Sequence, residues 1–383
     1  MINRLIRFCL DNTFIVVVIT LLVVGAGYYS IKNVPVDAIP DISENQSIVF
    51  TDWPGRDPQT VEDQVTYPLT TSLEGVPGVK VIRSYSGFGF SVIYVIFKDD
   101  VEFYWARSRV LERLNVAQRW LPDEVVPVLG PDATALGQIF WYTVENGFYC
   151  PVHSGGVFVC PDDSTIAFDK AGDCPEHDHG LVLKRVFGEG GICPLGDAGL
   201  VKSSYNLGEL RSLQDWYVRY QLNAVDGVSE VASVGGFVKQ YQIDVDPDKM
   251  RAHRVKLSDI YDAVRRSNVD VGAKVIENYG MEYIIRGIGF IKTIEDVEKI
   301  VVKSTEGTPL YIKNVATVTF GPDFRRGALD KEGAEVTGAV ATMRYGENPL
   351  RVINSVKEKI RKIEPGLPDG VHIVPFYDRT QLI

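Results

Sequence analysis

The sequence predicts an α+β protein: one N-terminal transmembrane helix, then two β-α-β-β-α-β units, the second of them split. Three observations predict this. A single uncharged apolar run occupies 14–31. Apolar patterns of period two and period 3.6 then alternate twice in the same order. Two stretches break the second series, a Gly-rich one at 147–205 and a mixed α/β one at 236–331.

The apolar run, Phe14 to Ile31, spans roughly 27 Å as a helix, close to the ~30 Å hydrocarbon core of a bilayer. Tyr28 and Tyr29 stand at its end, where amphipathic rings favour the interface. Arg4 and Arg7 precede it, and Asp37, Asp41 and Glu44 follow, so the positive-inside rule places the N-terminus in the cytoplasm. Residues after about 33 are then expected on the far side. A cleaved leader is the alternative, with Gly25-Ala26-Gly27 as its small residues, but leaders carry a shorter apolar run. Residues 1–12 read as a short amphipathic start, with Ile2, Leu5, Ile6 and Cys9 on one face.

The first unit covers 34–135. Ser47–Trp53 is a strand, rich in β-branched and aromatic residues. Asp57 caps a helix to Leu73, with Pro58 at its first position. After the Gly75–Gly78 turn come strands at 79–84 and 90–97 around a flexible 86–89. A helix follows over 101–120, with Trp105, Val110, Leu111, Leu114 and Ala117 at helical spacing, and a strand at 125–129 closes the unit. This order is the ferredoxin-like arrangement. The second unit collects 136–146, 206–235 and 332–383: a strand at 138–144, a helix at 207–222, a strand at 228–234, a strand at 339–345, a helix at 349–363 and a strand at 371–377. The piece at 236–331 has its own helix, Leu257–Ser267, and a hairpin tip at 278–280.

A chain 45% hydrophobic and 23% charged can bury a core, which excludes a disordered protein. A net charge of −10 excludes nucleic acid as a partner, because phosphate binding needs a basic surface. Gly188-Glu189-Gly190-Gly191 has no preceding strand and no following Lys-Ser/Thr, so it is not a phosphate loop. No catalytic constellation is present, and an enzyme is not expected. Asp99, Asp100 and Glu102 read as turn and helix-start charges rather than a cation site.

Several stretches carry a resemblance. They are Val36-Asp37-Ala38-Ile39-Pro40-Asp41, the run from Trp53-Pro54-Gly55 to Thr71-Ser72-Leu73, Gly75-Val76-Pro77-Gly78-Val79, and Leu136-Gly137-Gln138-Ile139 with Trp141-Tyr142. Further on come Leu210 to Trp216, Val231 to Gly236, Gly321-Pro322 with Arg325-Arg326-Gly327, and Tyr377-Asp378-Arg379. With these the chain resembles the heavy-metal efflux branch (CusA/CzcA type) of the resistance-nodulation-division transporters, over nearly its whole length except 147–205. The resemblance implies a proton-driven inner-membrane pump exporting metal cations. It implies a homotrimer working with a periplasmic adaptor and an outer-membrane channel. The two units would be porter subdomains, and 236–331 would be a docking subdomain. It further implies an N-terminal part that needs the remainder of the pump polypeptide. The family's proton-relay acids lie in later helices, and Phe14–Ile31 holds no ionisable group. The alternatives are a single-helix periplasmic metal-binding or sensing module, or an exporter of amphiphiles from the same superfamily.

The insertion at 147–205 concentrates the metal-ligating residues: of 5 Cys and 5 His in the chain, four Cys and three His fall between Cys150 and Cys193. All four Cys precede proline, which biases them to extended backbone. Cys150-Pro151-Val152-His153 and Cys174-Pro175-Glu176-His177 form two Cys-Pro-x-His knuckles, a Cys₂His₂ set suited to tetrahedral zinc, while thiolate ligation also suits copper(I). Cys160, His179 and Cys193 are possible additional ligands. The segment also resembles the small heavy-metal-binding domain appended to metal efflux proteins. Val152 stands where that pattern has Met and His177 where it has Cys, which favours a borderline ion such as zinc. Two disulfides are the alternative, with three possible connectivities.

Overall fold

The computed structural model describes residues 10–33, 41–153, 157–162, 167–175, 182–184, 193–195, 199–287, 289–305, 307–325 and 327–382. The amphipathic start at 1–9 therefore lies outside the described residues. Helix α1, Thr13–Asn33, carries a segment, Thr13–Ser30, of mean hydropathy 2.0 that is long and apolar enough to cross a membrane. Its side chains are apolar all round, and none of that segment is buried against protein. Such a surface is stable only in an apolar medium or against a partner. Within it, Thr20 Oγ1 donates to the Val16 carbonyl at 2.8 Å, a side chain closing onto its own helix backbone.

The chain divides into two compact units. One comprises Met1–Ser204, Leu213–Val234 and Val336–Ile383; the other comprises Tyr205–Ser212 and Gly235–Glu335.

The first unit holds two sheets with the same strand order. In the first sheet, β1 (Gln46–Asp52), β2 (Val79–Gly87), β3 (Phe90–Phe97) and β4 (Pro127–Leu129) lie in the order β2-β3-β1-β4. β3 pairs antiparallel with both β1 and β2. The turn expected at 86–89 tightens to Phe88-Gly89, because Gly89 takes φ +76° and lets β2 run on to Gly87. Helix α2 (58–74) starts as the sequence predicts: the Asp57 side chain accepts from the Thr60 N–H at 3.0 Å, and Pro58 needs no donor there.

A π-helical stretch, Glu62–Thr66, interrupts α2. Val61, Val65, Leu69 and Leu73 recur every four residues and are all 0% exposed. In an ideal α-helix, steps of four drift about 40° each, so Leu73 would leave the face that Val61 occupies. The wider i→i+5 turn removes part of that drift. It also accommodates Pro68, since the Tyr67 N–H already bonds back to Glu62 and the register changes just where proline cannot donate.

Helix α3, Phe103–Ala117, is capped by Glu102, whose carboxylate accepts from the Tyr104 and Trp105 N–H groups at 2.8 and 2.5 Å. Its buried face is Phe103, Ala106, Val110, Leu114 and Ala117. The sequence reading put Trp105 and Leu111 on that face; both are exposed instead. Packing selects the buried stripe, and apolar residues one step off it turn outward. Residues 118–120 continue as a 3₁₀ turn rather than as α-helix.

In the second sheet, β5 (Gln138–Asn146), β6 (Val228–Gly235), β7 (Ala334–Met343) and β8 (Val371–Asp378) lie in the order β6-β7-β5-β8. β7 starts earlier than the expected 339, because Glu332 and Gly333 take positive φ and turn the chain into the strand at once. Ile139, Phe140, Tyr142 and Val144 of β5 are all buried, as befits a strand between two neighbours. Helix α4 (207–223) again contains a π-helical stretch, Gln214–Val218, and α5 (Pro349–Ile363) buries Val352, Ile353, Val356, Ile360 and Ile363.

The Tyr377-Asp378-Arg379 motif closes this unit. Arg379 is 2% exposed and donates to the Leu136 carbonyl at 2.5 Å. Asp378 pairs with Lys357 and accepts from Thr380 Oγ1 at 2.7 Å. Burial raises the Asp378 carboxyl, but the hydrogen bonds from Lys357 and Thr380 outweigh it and hold it below its usual value. A carboxylate depressed in the folded state contributes stability above the unfolded value of ~3.9, and loses it as pH falls through the folded value. Asp378→Asn is therefore expected to cost about 1–3 kcal/mol at neutral pH. It should also flatten the acid limb of stability below about pH 4. Urea unfolding from pH 7 to 3 reads both effects.

The second unit has its own core of Val255, Ile260, Val297, Ile312 and Val315. Asp246 caps its helix Pro247–His253 by accepting from the Asp248 and Lys249 N–H groups, so it serves the backbone there. The hairpin Val271–Asn278/Met281–Gly287 turns at Tyr279-Gly280, both at positive φ. Ile276, Tyr283 and Ile284 are exposed on it.

Candidate metal centre

The insertion leaves the second sheet through a narrow neck. Beyond β5, the strand Phe148–Tyr149 pairs antiparallel with Val201–Lys202, Tyr149 opposite Val201. Gly147 and Gly370 hold this neck to the start of β8: the Gly147 N–H donates to the Gly370 carbonyl at 2.6 Å. The Ser203 N–H donates to the Gly147 carbonyl at 3.0 Å, and Ser203 Oγ donates to Gly370 O at 3.0 Å. Gly370 sits at φ +76°, and a Cβ there would fall 2.8 Å from Ser203 Cβ and 2.9 Å from Gly147 O.

The pairing decides what happens next. Because Tyr149 lies opposite Val201, Cys150 continues outward alongside the returning arm, and Cys193 lies on that arm. A small cluster closes around them, with Cys150 1%, Cys193 3%, Val157 0% and Val159 5% exposed, and Leu195 and Leu200 packed against it. His153 Nδ1 lies 3.4 Å from Cys150 Sγ and 3.3 Å from Cys193 Sγ. The three ligand atoms all lie within 4.8 Å of one another.

The two thiols are hydrogen-bonded to each other. Burial raises the Cys150 thiol, but hydrogen bonds with Cys193, with His153 and with neighbouring N–H groups outweigh it and bring it down to about 7. Burial and the bond to Cys150 push Cys193 up. Cys150 is thus poised as the thiolate, the form that ligates a metal ion. Two soft sulfurs and an imidazole nitrogen fit a zinc-class or copper ion.

Of the residues singled out in the sequence, Cys150 and His153 come together as the first knuckle suggests. Cys193, taken there as an additional ligand, is the third member. Cys174 and Cys160 are buried, at 6% and 1% exposed, and stand outside this group of three. His177 and His179 lie outside the described residues. None of the four cysteines is in a disulfide. The signal for Cys193 was its place just ahead of the return strand, legible only once the neck pairing is known.

Comparison with known proteins meets the neck at the same place. The family model described as the AcrB/AcrD/AcrF family matches residues 5–151 and 196–383.

The chain belongs to the AcrB/AcrD/AcrF family.

The match omits 152–195, the greater part of the insertion beyond its neck. Among relatives, the chain is 40% identical to the cation efflux system protein CusA of Escherichia coli (strain K12), over all of this chain and 32% of CusA. It is 33% identical to the cobalt-zinc-cadmium resistance protein CzcA of Cupriavidus metallidurans, again over the whole chain and 32% of that protein. The crystal structure of a heavy metal efflux pump (crystal form II) superimposes with a TM-score of 0.77 at 28% identity, covering 98% of this chain and 32% of that one. The chain therefore spans about a third of the length of these relatives.

Proposed function

We propose that the chain is the N-terminal portion of a proton-driven, inner-membrane heavy-metal cation efflux pump. The observation that carries this reading is the 40% identity to a cation efflux protein across the entire chain. In this reading α1 crosses the membrane with the N-terminus cytoplasmic, and residues after about 33 are periplasmic. The two sheets, each in the order 2-3-1-4, are ferredoxin-like porter subdomains; that strand order supports the assignment. The unit at 236–331 is the docking subdomain toward the adaptor and outer-membrane channel. Its exposed apolar hairpin supports a homotrimer, because a patch of that kind marks an interaction surface. The insertion is a resident metal-binding element, and the chain performs no catalysis of its own.

Deleting the gene segment for this chain in its host tests the reading. Cellular content of at least one heavy metal (cobalt, zinc, cadmium, copper or silver) should rise, with matching loss of tolerance, while susceptibility to amphiphilic drugs stays unchanged. Drug sensitivity without metal accumulation would mean an amphiphile exporter. Unchanged metal content would mean a binding or sensing module.

A further inference from the structure

Cys150, His153 and Cys193 meet from the two arms of one insertion, their ligand atoms all within 4.8 Å of one another. Bonds of about 2.3 Å to sulfur and about 2.0–2.1 Å to nitrogen put neighbouring donors roughly 3.5 Å apart on a tetrahedral ion. The nitrogen–sulfur separations, 3.4 and 3.3 Å, are close enough for one ion to reach all three donors. Charge points to a divalent ion. Cys150 and Cys193 are 1% and 3% exposed among Val157, Val159, Leu195 and Leu200. Two thiolates neutralise a divalent ion there, whereas a monovalent ion would leave a net negative charge in an apolar setting, which is costly.

We propose that Cys150, His153 and Cys193 are ligands of one divalent, zinc-class cation, and that the ion ties the two arms of the insertion together at its neck. This deepens the reading of the insertion as a metal-binding element and is independent of the pump reading. The ion bridges residues far apart in sequence, so it binds the closed neck and not the open one. Its binding free energy therefore stabilises closure.

The test uses the full chain, purified in detergent and kept reduced, titrated with Zn²⁺ and with Co²⁺ as a spectroscopic probe. One ion per chain is expected, with the intense d–d absorption of tetrahedral cobalt and a thiolate-to-cobalt charge-transfer band. Cys150→Ser and Cys193→Ser should each abolish the charge-transfer band or halve it with loss of stoichiometric binding. His153→Ala should weaken binding roughly tenfold or more. Cys160→Ser and Cys174→Ser should leave stoichiometry intact, which guards against a general folding defect. Zn²⁺ at a hundred times its Kd should slow proteolysis inside the insertion by roughly a hundredfold in the native chain, and not in Cys193→Ser. Binding that survives Cys193→Ser but is lost in Cys174→Ser would overturn the ligand set. Binding of copper(I) with no binding of Zn²⁺ or Co²⁺ would overturn the ion class. A reduced chain that holds no metal would overturn the site. Export that is missing while the native site fills normally sinks the pump reading alone.

Discussion

Replacing Gly370 by alanine is expected to destabilise the first unit by about 2–4 kcal/mol and to open the neck of the insertion. Two independent costs combine. At φ +76° an L side chain is strained whatever space it has. The new Cβ would also sit 2.9 Å from the Gly147 carbonyl and 2.8 Å from Ser203 Cβ, so backbone must move. What moves is the set of hydrogen bonds joining Gly147, Ser203 and Gly370, which holds Phe148–Tyr149 against Val201–Lys202. The measurement is urea unfolding together with limited proteolysis near residues 147 and 203. Gly172→Ala is the control: nothing lies within 4 Å of its Cβ position, and it should stay within about 0.5 kcal/mol of the native chain. Equal effects for the two substitutions would remove the argument that the neck is a steric clamp.

Leu69→Ala should cost about 2–5 kcal/mol in the same assay. Leu69 is 0% exposed in the middle of the stripe that α2 lays against β1, β3 and α3, where neighbours on every side prevent the void from collapsing. Leu111→Ala is the comparison. Leu111 has the same chemistry and also sits on a helix of this unit, but it is 50% exposed and should lose no more than about 0.5 kcal/mol. A Leu111 effect as large as that of Leu69 would restore the helix face read from spacing alone.

That pair shows where reading a sequence stops. Apolar spacing placed α3 and found Val110, Leu114 and Ala117, because a buried stripe must recur near 3.6 residues. It also admitted Trp105 and Leu111, because several stripes through one apolar-rich helix satisfy the same period. The choice among them is made by packing in three dimensions, which buries Phe103, Ala106, Val110, Leu114 and Ala117. In α2, a stripe repeating every four residues signals a departure from α geometry, and the π-helical turn at Glu62–Thr66 is the physical answer.

The candidate site divides in the same way. Local chemistry was legible: Cys150-Pro151-Val152-His153 brings a thiol and an imidazole together within one short turn, and no distant residue is needed to see it. Its partner was not legible. A second Cys-Pro-x-His motif at Cys174 was the natural choice from sequence, because repetition is a local property. Cys193 joins Cys150 because two short strands pair across the neck and set the outgoing and returning arms side by side. By itself the sequence determined the apolar helix, the strand and helix order of the two units, and which residues bear metal-ligating atoms, since each of these follows from short-range pattern and side-chain chemistry. Tertiary structure alone decided the helix phases, the strand order 2-3-1-4 and the meeting of Cys150 with Cys193, because those depend on contacts between segments whose separation along the chain leaves no periodic trace.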